Sequence, residues 1–224
     1  MTKLHVFDMD GTLLQGSACL EVSRHMGQLD AISVIEEAWG RGEVGHVEFY
    51  ELCLPLWEGL TARDIEEVFE LTPWLDGVRS VLTDIAYRGE HSAVVSLSPQ
   101  FFVDRLLLWG ATTAHGAVVM PGTTLEPGLV LTPESKPTLV RTLMAQHGVA
   151  VEECVAYGDS SSDVPLFKML PNTVSVNGTE ALRALAAVRY EGGDLREAYA
   201  LGRSLLDRDR PEALPKPDQT GALR

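Results

Sequence analysis

The chain carries only three cysteines in 224 residues, Cys19, Cys53 and Cys154, and no two of them stand in a C-x-x-C spacing. That sparsity excludes a disulfide framework and a thiolate zinc site, and it predicts buried free thiols. Basic residues are scarce as well. With 18 Lys and Arg against 32 Asp and Glu the formal charge is −14. A surface of that sign repels nucleic-acid phosphates and anionic membranes, so neither is expected as a partner. No apolar run approaches the roughly 18 residues of a membrane span, and the first residues lack a basic stretch leading into an apolar one. A soluble, cytoplasmic protein is expected. None of the six histidines (His5, His25, His46, His91, His115 and His147) follows Ser160, so Gly158-Asp159-Ser160 does not open a serine-hydrolase triad ending on a late histidine. No internal repeat is visible, and no feature specifies an oligomeric state.

What is present begins at Leu4. The apolar run 4–7 is too short for a helix and suits a buried strand, and it breaks at Asp8-Met9-Asp10-Gly11-Thr12. Residues two apart on a strand point the same way, and Gly11 allows a sharp turn, so both carboxylates are able to face one pocket at the end of a parallel strand. A divalent cation would relieve their mutual repulsion. Taken alone, the pair reads equally as an Asx turn.

Amphipathic helical patterns follow at about 20–26, 32–39, 47–54 and 64–69, with no convincing strand among them. From Gly77 the pattern alternates: helix 78–87, strand 93–95, helix 101–109, helix 136–146, strand 154–157, helix 164–169, strand 173–176, helices 180–187 and 195–205. The stretch 116–131, with Gly116, Pro121, Gly122, Pro127 and Gly128, reads as turns or a small hairpin. The expected class is therefore α/β, a doubly wound, Rossmann-like parallel sheet. Its core comprises residues 1–13 and 77–206, interrupted by a helical insert, 14–76, placed to cover the pocket. Residues 207–224, rich in charge and proline, are expected to form a flexible tail.

Three further loops fall at the same sheet edge. Ser96, in the turn after a strand, is able to donate to a phosphoryl oxygen, or simply to cap a helix. Lys136 begins a helix, where a cation is unfavourable for the macrodipole unless an anion sits nearby; the ordinary alternative is a solvated surface lysine. Asp159 and Asp163, four residues apart after a strand, are able to turn toward one cation, or to cap the helix that follows.

In their order, Asp-x-Asp-Gly-Thr, Ser96, Lys136 and the Gly158 to Phe167 pattern Gly-Asp-x-x-x-Asp-x-x-x-Phe resemble the four motifs of the haloacid dehalogenase superfamily, phosphatase branch. The resemblance spans about residues 4–176, and the insert is similar to the small helical cap of the phosphoserine-phosphatase-like subgroup. It implies an enzyme in which Asp8 attacks phosphorus and forms an aspartyl phosphate, while Asp10 serves as acid and then base. It implies Mg2+ held by Asp8, the Asp10 carbonyl and Asp159, with Asp163 orienting that shell. Ser96, the Leu97 backbone N–H and Lys136 would hold the phosphoryl oxygens.

Two positions depart from that subgroup. Ser17 stands where phosphoserine phosphatases carry a glutamate that recognises the substrate, and the carboxylate-binding arginine expected near Cys53 is missing, since 42–62 contains no Lys or Arg. Residues 14–76 hold only Arg24, Arg41 and Arg63 against thirteen acids. The expected substrate is therefore a small phosphate monoester of a neutral alcohol, such as a sugar, cyclitol or other polyol, in preference to phosphoserine. Trp39, Phe49, Tyr50, Trp57 and Trp74 are candidates to line the pocket but are expected mainly as insert core. His46 is a candidate substrate contact, with a surface position the plainer alternative. A phosphomutase or phosphotransferase would use the same two aspartates, and a catalytically silent module would not need all four motifs.

Overall fold

The computed structural model describes residues 2–207. Six strands, β1 (Leu4–Phe7), β2 (His91–Pro99), β3 (Thr113–Ala117), β4 (Cys154–Gly158), β5 (Asn172–Val176) and β6 (Val188–Tyr190), form one parallel sheet in the order β3-β2-β1-β4-β5-β6. That order winds outward in both directions from β1. The strand order reverses beside β1, and ligands of such sheets bind outside the carboxyl ends of the strands at that point.

Helices α1 (Ala18–His25), α2 (Leu29–Gly40), α3 (His46–Cys53) and α4 (Ala62–Leu71) make up the insert, and α5 (Val78–Tyr87) leads into β2. The rest of the chain supplies α6 (Gln100–Val103), α7 (Ser135–His147), α8 (Val164–Met169), α9 (Glu180–Leu185) and α10 (Leu195–Asp207). The period of two along the strands sorts side chains between the two faces. Leu4, Val6, Ala93, Val95 and Ala156 pack with Val140, Leu143, Leu166, Phe167 and Leu182 of α7, α8 and α9. Phe7, Val94, Val155 and Tyr157 face α5 and α10 instead, in a core that runs on without a break into the insert. On this second face His5 is fully buried, its ring bonded to Tyr157 and Glu90, and Arg203 of α10 closes the network on Glu90 at 2.6 Å.

The insert folds for local reasons. Ser17 accepts the Leu20 N–H and caps α1, and Thr61 and Asp64 form a reciprocal capping box at the start of α4. Ile32, Tyr50, Cys53, Trp57 and Val68 turn inward, and the Trp57 indole N–H is satisfied by Ser23 at 2.8 Å. Phe69 packs on Trp74 within the insert and joins the insert to the sheet layer through Trp109, both at 4.8 Å between ring centroids.

Several expected elements differ. The stretch 116–131 makes no hairpin: its first two residues end β3, which pairs parallel to β2, and the rest is turns with a short 3-10 segment at Pro127–Leu129. Pro121 and Pro127 remove the N–H groups that a ladder would need. β3 and β6 were not expected, because Thr-Ala-His-Gly-Ala and Val-Arg-Tyr lack the apolar density of central strands and occupy the two edges. The helix expected at 101–109 is α6 followed by a 3-10 segment, Asp104–Trp109, and α9 ends at Leu185 so that β6 can begin. The expected tail lies outside the described residues from 208 onward, while Asp207, assigned to it, closes α10 and pairs with Lys3 at 2.6 Å.

Candidate active site

The carboxyl ends of β1, β2 and β4 converge on a cavity of about 470 Å3 roofed by the insert. Asp8 follows β1 directly, its N–H donating to the Tyr157 carbonyl at 2.9 Å, which fixes it beside the end of β4. Gly11 adopts φ +73°, and a Cβ there would collide with the Asp159 carboxylate. The close approach of these two loops therefore requires glycine.

Lys136 is almost fully buried, and its Nζ lies 3.0 Å from Asp8 Oδ1, 2.7 Å from Asp163 Oδ1 and 3.3 Å from Ser162 Oγ. Asp163 also accepts the Asp159 N–H at 3.0 Å and the Ser160 N–H at 3.4 Å. Its carboxylate is thus fully engaged in holding Lys136 and the loop. Asp8, Asp159 and Asp163 each offer an oxygen within 4.8 Å of the other two, and Asp159 Oδ1 is buried without a hydrogen-bond partner among the described residues. An all-oxygen cluster with an orphaned acceptor fits a hard divalent cation such as Mg2+.

The charge balance leads the same way. Burial drives the Asp8 carboxyl well above the usual carboxylate range and Asp163 adds to the effect, although Lys136 opposes it. Asp159 is pushed up to about 7, again by burial first and Asp163 second. Lys136 itself is raised, since Asp163 and Asp8 outweigh the cost of its burial. Lys136 does not bring Asp8 and Asp159 back to the ordinary carboxylate range, and a bound cation would supply further positive charge.

Asp10 has a different environment from Asp8. Its carboxylate turns away from the cluster, accepting the Ala18 N–H at 3.1 Å on Oδ1 and the Ser98 hydroxyl on Oδ2. Burial lifts it to about 6 while those two donors hold it down. Ser96 is buried where the pairing of β2 with β3 slips between Val95 and Pro99, and its Oγ accepts the Ser98 N–H at 3.1 Å. The neighbouring Leu97 carbonyl accepts the Tyr50 hydroxyl of α3 at 2.5 Å, tying the insert to this loop.

The insert residues divide. Ser17 and His46 line the cavity; Cys53 does not, being fully buried in the insert core on the inward side of α3, where burial pushes its thiol up. Trp39, Phe49 and Tyr50 line the cavity, whereas Trp57 and Trp74 go to the core. His46, expected at the surface, is half-buried with its Nδ1 accepting the Trp39 indole N–H at 3.4 Å, and burial lowers its pKa. Sequence reasoning missed Cys19, Glu36 and Ser98, all of which line the cavity. Ser98 had a signal in its spacing of two from Ser96. Glu36 had none, for nothing distinguishes it from other helical glutamates until α2 docks. Ser17 donates to the Glu36 carboxylate, and burial raises the Glu36 pKa.

A doubly wound α/β sheet with an aspartate pair after its first strand, a buried lysine and a carboxylate cluster at the same edge is consistent with a phosphoric monoester hydrolase. The family model described as haloacid dehalogenase-like hydrolase matches residues 5–168, and the chain belongs to that family. A phosphoserine phosphatase of Idiomarina loihiensis is 27% identical over 199 residues, covering 87% of this chain and 90% of its own length. One of Archaeoglobus fulgidus is 26% identical over 194 residues, covering 82% of this chain and 55% of its own length, so the chain spans about half of that relative. A solved substrate-bound phosphoserine phosphatase complex shares the fold with a TM-score of 0.74 at 22% identity, over 88% of this chain and 96% of its own. Among the described residues no helix is long and apolar enough to cross a membrane.

Proposed function

We propose that this chain is a Mg2+-dependent phosphomonoesterase that hydrolyses a small phosphorylated metabolite through an aspartyl phosphate on Asp8. Residues 14–76 act as a cap over a catalytic core of 1–13 and 77–206. The observation that carries the reading is the contrast between the two aspartates: Asp8 faces Lys136 and the carboxylate cluster, while Asp10 is held apart by Ala18 and Ser98 at a pKa of about 6. Two carboxyls with different environments support two different roles.

In the first step an Asp8 oxygen attacks phosphorus, the ester P–O bond breaks, and protonated Asp10 gives its proton to the departing alkoxide. In the second, Asp10 as carboxylate takes a proton from water, which attacks the aspartyl phosphate and releases Asp8 and inorganic phosphate. Ser96, the Leu97 N–H and Lys136 hold the phosphoryl oxygens. Mg2+, held by Asp8, the Asp10 carbonyl and Asp159 with Asp163 orienting them, would supply positive charge that keeps Asp8 ionised and neutralises the phosphoryl group.

The alcohol half carries no anion, because among the described residues no Lys or Arg of the insert lines the cavity. This favours the phosphate of a sugar, cyclitol or other alcohol over phosphoserine, whose carboxylate would meet no cation. The test is phosphate release from sugar, cyclitol, amino-acid, amino-alcohol and glycerol phosphates, with and without Mg2+. Activity that depends on Mg2+ and on Asp8 supports the reading; activity unchanged in Asp8→Asn refutes it, and a clear preference for phosphoserine refutes its substrate part.

A further inference from the structure

The insert's part of the cavity lining carries one charged side chain, Glu36 of α2, together with the rings of Trp39, Phe49 and Tyr50. Among the described residues its carboxylate has a single hydrogen-bond partner, the Ser17 hydroxyl, and no ion pair. At the other end the charges are already assigned: Lys136 to Asp8 and Asp163, a cation to the cluster, and the phosphoryl group to both. Glu36 is left over. It is the net charge that the leaving group meets, and neutral His46 does not offset it.

Resting on the reading above, we infer that Glu36 selects the substrate, and that the alcohol released is one bearing a cationic nitrogen and no carboxylate, an amino alcohol or amino sugar. A half-buried carboxylate in apolar surroundings attracts a cation more strongly than an exposed one. The Trp39, Phe49 and Tyr50 rings add to this for a cation that meets a ring face. A neutral polyol would leave the Glu36 charge without a counterion in the cavity. Phosphoserine would satisfy it but bury a second, unpaired carboxylate. Ser17, which caps α1 and donates to Glu36, orients the carboxylate without neutralising it.

A matched pair of esters tests this: phosphoethanolamine and ethylene glycol monophosphate, which differ in size little and in charge by one unit, with phosphoserine as third substrate. Phosphate release by the full chain in Mg2+ is expected to give phosphoethanolamine a kcat/KM about tenfold or more above either of the others. Glu36→Gln is expected to bring the ratio of the matched pair close to one, chiefly through KM, and Glu36→Asp to restore part of it. Ethylene glycol monophosphate turned over as well as phosphoethanolamine by the unaltered chain overturns the inference while leaving the phosphatase reading intact. So does a folded Glu36→Gln protein with an unmoved ratio. No phosphate from any ester, a nitrophenyl phosphate included, overturns the phosphatase reading and this inference with it. Should Glu36→Gln fail to fold, the ratio in the unaltered chain still decides.

Discussion

The two ends of the cavity are built on different principles. At the sheet edge, Asp8, Asp10, Ser96, Asp159 and Asp163 sit within a few residues of strands whose neighbours and register are fixed by the parallel ladder. At the roof, Glu36, Trp39, His46 and Tyr50 come from two helices, α2 and α3, and Ser17 from the cap of α1, and their positions depend on how those helices pack on one another and on the core. The first end is crowded with charge, three carboxylates around one lysine. The second is mostly apolar and leaves one charge over. The proposed function gives chemistry to the rigid end and selection to the packed one, a division that loops and inserts on stable sheets commonly adopt.

The largest break in that comparison should come from the rigid end. Asp8→Asn is expected to lower phosphate release by at least about 10^4-fold, as loss of a nucleophile does, with no phosphoenzyme trapped on acid quench. Asp10→Asn should cost about 10^2- to 10^4-fold, the range of a general acid and base. Because Asp10 is held at about 6, its protonated form dominates below that pH and favours transfer to Asp8, while the carboxylate needed for hydrolysis dominates above it. Phosphoenzyme should therefore accumulate in rapid-quench experiments below pH 6 and fade above it. Ser98→Ala, which removes a donor that lowers the Asp10 pKa, should move that transition upward. Asp159→Asn should abolish thermal stabilisation by Mg2+, which in the unaltered chain should reach about 2.7 kcal/mol at a hundred times the dissociation constant. The smallest effect should come from the roof: Tyr50→Phe removes one hydrogen bond worth about 1 kcal/mol and should raise KM about fivefold with little change in stability, read by steady-state kinetics and a melting curve.

The same division explains what was legible beforehand. Asp8, Asp10, Ser96, Lys136, Asp159 and Asp163 carry their signal in local spacing, and the sheet brings them together because each follows or faces a strand end. Glu36 is separated from Asp8 by α1 and the first half of its own helix, α2, and only tertiary packing sets its carboxylate in the cavity. Cys53 was singled out by position alone, and the turn of α3 that places Tyr50 at the cavity sends Cys53 into the core instead. The edge strands β3 and β6 escaped for a related reason: their identity as strands rests on the neighbour they pair with more than on their own residues.

The hydrogen bond from Tyr50 to the Leu97 carbonyl ties the roof to the loop that the proposed function assigns to phosphate. For a phosphoryl group held at Ser96 and Leu97, reciprocity requires that a docked insert tighten phosphate binding by the same factor by which bound phosphate favours docking. Undocking of α3 and departure of inorganic phosphate then share one free energy, so a change in the roof that leaves every reacting atom in place still alters the turnover rate whenever product release limits it.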